Sequence, residues 1–194
     1  MTGLRSRGQA FIEMSVPYLE TLVLGLGNPI LTDDGVGIHV TRAVASRLTS
    51  QPDRTDGIRF AEASVGGLRL LEVLAGYGRV ILVDAIQTPD GLPGDICQLS
   101  PGKSRAVGGG DLQSSLYRNC SGTLHAGSTH DLSFQGALAW GRQSGMALPD
   151  DEAILIVAIE AQDVLTFGET CTPKVAAAIP RAVDLVLGML KTDW

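Results

Sequence analysis

Residues 21–40 have the sequence TLVLGLGNPILTDDGVGIHV, in which a short apolar run is followed by glycines, an acidic pair and a second apolar pattern. The run at 21–25 is rich in strand-forming residues and ends at a glycine, which predicts a buried strand. After the acidic pair, valine or leucine recurs every four residues from 36 to 48, and this spacing predicts a helix with Thr32 or Asp33 as its N-cap. The stretch therefore predicts a strand, a glycine-containing loop and a helix, which is the repeating unit of α/β proteins.

The same alternation of strands and helices continues along the rest of the chain. Further strands are predicted at 58–63, 80–83, 95–99 and 153–159, and further helices at 68–74, 131–142 and 172–190. The 95–99 strand follows the one before it too closely for a helical crossover, so it is expected at an antiparallel edge. Thr172 and Pro173 suit the start of the last helix, and Pro180 should kink it. Residues 100–127 show no periodicity and are expected to form a long loop.

These elements predict an α/β fold. We expect three α/β/α layers, in which a central, mostly parallel twisted sheet of about five strands carries one antiparallel edge strand. A single domain is predicted over 21–194, preceded by a flexible leader at 1–20.

Composition excludes several classes of function. The chain has 194 residues, of which 15 are Lys or Arg and 21 are Asp or Glu, and its net charge of −6 disfavours nucleic acids and anionic membranes as partners. No apolar run approaches the ~20 residues that a membrane helix requires. The three cysteines are an odd number without C-x-x-C spacing, which fits a reducing compartment better than a disulfide framework, so a cytoplasmic location is expected.

Two aspartates are predicted at the same edge of the sheet. Asp34 lies at the entry to the first helix and Asp84 directly follows the 80–83 strand, and the carboxyl ends of parallel strands share one edge. Two neighbouring carboxylates repel each other unless a proton or a cation lies between them, so a metal would resolve the repulsion. The alternative is that the acidic pair only caps the helix and Asp84 only closes the strand.

A third metal ligand would be one of three histidines. His39 falls inside the first helix, where a histidine is usually an ordinary helix-face residue, whereas His125 and His130 lie where the long loop meets the third helix. Two carboxylates and one imidazole leave an open coordination position, as in catalytic metal sites. Nickel, zinc and other divalent transition ions all suit such a set.

The sequence resembles the hydrogenase maturation proteases, the endopeptidases that remove the C-terminal extension from the precursor of the nickel-iron hydrogenase large subunit. The resemblance is carried by the motifs at 24–37 (LGLGNPILTDDGVG), 64–67 (SVGG), 81–85 (ILVDA), 128–130 (STH) and 172–173 (TP). It extends over nearly all of the chain from Thr21 to Leu190.

The resemblance implies a site and a reaction. The family's metal ligands fall on Asp34, Asp84 and His130, with His125 as the alternative histidine, and Asp34 replaces the glutamate of some members. Nickel already inserted in the precursor would be recognised at these side chains, so the metal arrives with the substrate. The cation would then act as a Lewis acid and activate a bound water for peptide hydrolysis, with Asp33 as a possible base.

Three other functions compete with this reading. A dinucleotide-binding loop would need a third glycine where Ile30 lies, and the acidic pair would repel a pyrophosphate. A cysteine protease would use Cys171, which precedes a helix N-terminus that would lower its pKa. A non-catalytic, nickel-dependent checkpoint protein for the same precursor would use the same three ligands, so the sequence does not separate it from a protease.

Overall fold

The computed structural model describes residues 20–49, 56–101 and 134–192. The helices and strands in chain order are β1 (Thr21–Leu26), α1 (Val36–Thr49), β2 (Ile58–Ala63), α2 (Leu68–Leu74), β3 (Arg79–Ile86), β4 (Ile96–Leu99), α3 (Phe134–Gln143), β5 (Ile154–Glu160) and α4 (Pro173–Met189). Short 3-10 turns precede α1 and β5, at Thr32–Gly35 and Asp151–Ala153. The predicted leader up to residue 19 and all but the first two residues of the predicted 100–127 loop lie outside the described residues.

The five strands form one sheet in the order β2-β1-β3-β5-β4. β1 pairs in parallel with β2 and β3, β3 pairs in parallel with β5, and β4 pairs with β5 in the antiparallel direction. The predicted α/β architecture, with a mostly parallel sheet and an antiparallel edge strand, is therefore confirmed.

Helices cover both faces of the sheet. On one face α1 and α4 pack on Val23, Ile81 and Val83, and on the other α2 and α3 pack on the alternating positions Leu24 and Leu82. Successive side chains of a strand point to opposite faces, so each central strand is buried on both sides and consists of an almost continuous apolar run. This arrangement confirms the three predicted layers.

Local details differ from the prediction at two places. β3 continues to Ile86 because it keeps its pairing with β5 as far as Glu160, so Asp84 lies inside the strand rather than after it. Neither Thr32 nor Asp33 caps α1, since both belong to the 3-10 turn that leads into the helix. The apolar pattern predicted the helix correctly, but the backbone reaches it through a tighter turn.

α4 begins at Pro173 with Thr172 at the N-cap position and continues through Pro180 to Met189. The hydroxyl of Thr172 does not cap the helix, because it donates instead to the carboxylate of Asp33 2.9 Å away. The start of α4 is therefore joined to the turn in front of α1.

Two of the three cysteines lie in the described part of the chain. Cys171 carries a free thiol, whereas the buried Cys97 on β4 is disulfide-bonded. The argument from cysteine number against disulfides therefore does not hold for Cys97. None of the described helices has the length and apolar character that crossing a bilayer requires.

Candidate active site

The loop after β1 folds back on itself to present Asp34. Gly27 has φ +123°, a conformation that favours glycine, and a Cβ atom there would lie 1.7 Å from the carbonyl oxygen of Asp34. Backbone hydrogen bonds from Leu31 to Asn28 (3.0 Å) and from Asp34 to Leu31 (2.8 Å) close the loop. The glycine is thus required by the close approach of two backbone segments.

Asp34 is 9% exposed, and its Oδ2 accepts a 2.6 Å hydrogen bond from the backbone N–H of Asn28. In a dinucleotide-binding loop, backbone N–H groups at this position bind phosphate oxygens. Here the N–H of Asn28 binds the chain's own carboxylate, which is negatively charged and would repel a phosphate. The loop geometry therefore disfavours the dinucleotide alternative.

Asp84 is 1% exposed and lies on the face of β3 that α2 and α3 cover, at an alternating position with Val80 and Leu82. Its Oδ1 accepts a 2.9 Å hydrogen bond from the backbone N–H of Ala85. Burying a carboxylate is costly unless it is hydrogen-bonded or paired with a cation, so an aspartate at such a position is a candidate for function.

The two aspartates lie at the same edge of the sheet, as predicted. The 3-10 turn that carries Asp34 contacts β3, and α1 begins so close to the sheet that a Cβ atom on Gly37 would lie 2.3 Å from the carbonyl oxygen of Val83. Val83 directly precedes Asp84. The absence of a side chain at Gly37 thus allows the N-terminus of α1 to approach the strand that carries the second aspartate.

The predicted third ligand, His130, and its alternative His125 lie outside the described residues. Within residues 20–49, 56–101 and 134–192, no three His, Cys, Asp or Glu side chains are grouped so as to hold a metal ion. The ligand set of Asp34, Asp84 and His130 therefore remains a prediction.

Asp33 is not the available base that the sequence suggested. Its carboxylate is fully buried, and Oδ2 accepts hydrogen bonds from the backbone N–H groups of Gln162 and Asp163 (both 2.9 Å). Oδ1 accepts from the N–H of Thr172 at 2.6 Å, in addition to the hydroxyl bond that Oδ2 receives. A fully buried carboxylate that accepts from four donors has a structural role: it joins the turn before α1 to the segment between β5 and α4.

Cys171 does not have the properties of a catalytic thiolate. Burial and, secondarily, the negative charge of Asp33 raise the pKa of the thiol from 9.0 to about 11. The thiol group lies 3.6 Å from the carbonyl oxygen of Thr32 and donates to it. The expected lowering of its pKa by the α4 N-terminus is therefore wrong, because desolvation and the neighbouring carboxylate act in the opposite direction. These properties disfavour the cysteine-protease alternative.

His39 lies on α1, one turn beyond Asp34, and is partly buried. Its Nε2 is shielded from solvent and has no hydrogen-bond partner, and a Cβ atom at Gly35 would lie 3.4 Å from it. Burial lowers the pKa of the imidazole, the positive charge of Arg42 lowers it further, and Glu62 partly opposes both effects. These surroundings favour a neutral imidazole that packs against the loop.

Sequence reasoning missed the part played by residues 161–172, between β5 and α4. This segment runs alongside the loop after β1, with a parallel bridge between Leu31 and Gly168 and a 2.6 Å hydrogen bond from the Thr32 hydroxyl to the carbonyl of Thr166. It has no helical or strand periodicity, so only its position after a parallel strand could have indicated a place near the site.

The known proteins that this chain is similar to include several hydrogenase maturation proteases. No family model matches the chain. A curated sequence, the Hydrogenase 2 maturation protease of Escherichia coli strain K12, is 30% identical over 76 residues, which are 39% of this chain and 44% of that protein. The aligned stretch thus spans less than half the length of the curated relative.

Solved structures match over much more of the chain. The hydrogenase maturating endopeptidase HybD of E. coli is 25% identical with a TM-score of 0.60, and the match covers 89% of this chain and 92% of HybD. The hydrogenase 2 maturation peptidase of the Thaumarchaeota archaeon SCGC_AB-539-E09 is 26% identical with a TM-score of 0.56, over 90% of this chain and 99% of that one. The chain is thus similar to hydrogenase maturation proteases in sequence and in fold. The resemblance drawn from its sequence motifs is thereby confirmed, and the fold of these proteases is present from β1 to α4.

Proposed function

We propose that this chain is an endopeptidase that removes the C-terminal extension from the precursor of a nickel-iron hydrogenase large subunit after nickel insertion. The observation that carries the proposal is the pair of buried aspartates, Asp34 and Asp84, at the carboxyl edge of a sheet that has the fold of proteins named as hydrogenase maturation endopeptidases. The proposal includes a cytoplasmic location, because nickel insertion into the precursor would precede cleavage there.

The two carboxylates suit the recognition of a divalent transition metal carried by the precursor. Carboxylate and imidazole ligands bind nickel and zinc alike, so nickel specificity would come from the substrate rather than from these side chains alone. His130 would supply the imidazole. The backbone N–H groups of Asn28 and Ala85 hold one oxygen of Asp34 and one oxygen of Asp84 in place, which fixes the direction in which each carboxylate can bind.

The positions of these side chains indicate the role that each would have in the reaction. A cation between Asp34, Asp84 and His130 would polarise the scissile carbonyl and lower the pKa of a bound water. Asp33 is engaged with four donors, so proton transfer would fall to one of the ligating carboxylates or to the substrate. The buried aspartates are thus expected both to bind the substrate's metal and to orient the attack.

The test combines the purified chain with precursor in nickel-loaded and nickel-free form and follows the mass of the large subunit. We expect shortening of the nickel-loaded precursor only, and a loss of about a thousandfold or more in rate for the variants Asp34→Ala, Asp84→Ala and His130→Ala. The variants His39→Ala and His125→Ala are the matched controls and should remain active. Full activity in Asp84→Ala would refute the metal-recognition site.

The same experiment separates a protease from a non-catalytic checkpoint protein. A checkpoint protein would bind the nickel-loaded precursor through the same side chains but leave its mass unchanged. Binding that is lost in Asp34→Ala, together with a large subunit of constant mass, would therefore favour the checkpoint function.

A further inference from the structure

The exposed apolar side chains of the described chain are concentrated around the candidate site. Six large apolar side chains are exposed, and five of them follow the carboxyl end of a parallel strand: Ile30 after β1, Leu68 after β2, Leu92 after β3, and Leu165 and Phe167 after β5. Only Trp140, on α3, lies elsewhere. Scattered exposed apolar residues are normal, but a cluster of them on the loops of one sheet edge is typical of a binding surface.

Leu165 and Phe167 are the most exposed of the group, at 83% and 79%. The backbone that carries them is nevertheless fixed. The carboxylate of Asp163 accepts hydrogen bonds from the N–H groups of Leu165 (3.0 Å) and Thr166 (2.9 Å), and the N–H of Gly168 donates to the carbonyl of Ile30 at 3.0 Å. The two side chains are thus held in solvent by an ordered segment instead of folding back onto the core.

The charged side chains on the described loops of this edge are all acidic. The loops after the four parallel strands, at 27–35, 64–67, 87–95 and 161–172, contain six Asp or Glu residues and no Lys or Arg. Among the described residues, Arg69 and Lys174 lie in the first turns of α2 and α4, and the guanidinium of Arg181 donates a 2.9 Å hydrogen bond to the carbonyl of Gly94 in the loop after β3. A partner that covers this edge would therefore need apolar side chains together with positive charge.

We propose that the loops after β1 and β5, with Ile30, Leu165 and Phe167 as contact residues, form the docking surface for the C-terminal segment of the precursor, and that this segment presents apolar and basic side chains. This inference rests on the proposed function. The occupant is the substrate rather than a second copy of the chain, because a copy on this edge would cover Asp34 and Asp84. Asp33 supports the surface by joining the turn that carries Asp34 to the segment that carries the contact residues.

The first test uses the double variant Leu165→Ser, Phe167→Ser, with Trp140→Ser as the matched control. All three side chains are exposed, so the variants should keep the thermal stability of the wild type. We expect the double variant to raise the KM for nickel-loaded precursor by about tenfold to a hundredfold, with kcat within about twofold of the wild type. Trp140→Ser should leave both constants unchanged.

A second pair of variants tests the charge. Glu169→Gln removes an exposed carboxylate from the 161–172 loop, and Glu152→Gln removes one from the turn before β5, at the opposite edge of the sheet. We expect Glu169→Gln to raise the KM about two- to threefold at low salt, with the difference vanishing at high salt. Glu152→Gln should have no effect, and equal effects of the two variants would contradict the charge complementarity.

A binding measurement with nickel-free precursor distinguishes failure of this inference from failure of the proposed function. One outcome has three parts: the wild type binds nickel-free precursor, the double variant binds it at least tenfold more weakly, and nickel-loaded precursor stays uncut. In that case the docking surface stands and the protease function fails. If the wild type cuts the precursor and the double variant shows an unchanged KM, then the docking surface is refuted and the protease function stands. A variant that changes only the sedimentation of the chain would show that a second copy occupies the surface, which also refutes the inference.

Discussion

Replacing Asp33 with alanine removes the acceptor of four hydrogen bonds at a fully buried position. The donors are three backbone N–H groups, of Gln162, Asp163 and Thr172, and the Thr172 hydroxyl, at distances of 2.6–2.9 Å. A buried donor left without a partner costs about 1–3 kcal/mol. Water entering the small cavity would replace part of the loss, so we expect Asp33→Ala to lower the free energy of unfolding by about 3–5 kcal/mol.

Asparagine at the same position provides a graded comparison. Oδ2 accepts three of the four bonds and Oδ1 accepts one. Asparagine can place its amide oxygen where Oδ2 lies, but its NH₂ group then takes the place of Oδ1 and faces the N–H of Thr172. Asp33→Asn should therefore lose about 1–2 kcal/mol, which is less than alanine loses.

Urea unfolding followed by circular dichroism measures both variants. Asp90→Ala is the control, because Asp90 is exposed on the loop after β3 and should change stability by no more than about 0.5 kcal/mol. A loss below about 1 kcal/mol in Asp33→Ala would refute the role of Asp33 as the link between the site turn and the segment before α4. An equal loss in the alanine and asparagine variants would refute the assignment of the individual bonds.

Three further predictions concern single residues. Gly27→Ala combines a φ of +123° with a clash against the backbone of Asp34, so it should lower the free energy of unfolding in urea by about 3 kcal/mol or more. Its control Gly188→Ala, in open space on α4, should raise that free energy by up to about 1 kcal/mol. Cys171, with a pKa of about 11, should react with iodoacetamide at pH 8 about a hundredfold more slowly in the folded chain than in urea. Peptide mass mapping measures the two rates, and equal rates would contradict the burial of the thiol. Because the pKa of His39 is lowered in the folded chain, its contribution to stability is complete above about pH 6.5 and is lost as the pH falls below that value. His39→Gln should therefore lose less stability than the wild type between pH 7.5 and 5.5. Parallel losses in the two proteins would contradict the prediction.

The sheet and its helices could be predicted from the sequence because each element has a strong local signal. The apolar runs of β1, β3 and β5 are nearly continuous, since these strands are buried on both faces. The short connection before β4 excluded a helical crossover and so predicted the antiparallel edge. These signals come from residues that are close together in the sequence, so a single sequence is enough to reveal them.

The bonding of individual side chains could not be predicted in the same way. Asp33 and Asp34 are adjacent and chemically identical, but one is engaged by Gln162, Asp163 and Thr172, while the other accepts from Asn28. The partners of Asp33 are about 130 residues away in sequence, and no periodicity connects them with it. The pKa of Cys171 was mispredicted for the same reason, since its direction depends on burial against that distant turn.

The bonds of Asp33 also determine when the site can form during synthesis. The turn that carries Asp34 is made early, but the donors that hold its neighbour lie at residues 162–172, and β3 pairs with the late strand β5 on the side away from β1. Domains acquire their structure from the N-terminus as the ribosome releases them. A nascent chain that has emerged only as far as β4 therefore contains Asp34 and Asp84 but lacks residues 162–172, which hold the site turn in place. We expect the site to form only after most of the chain has been translated.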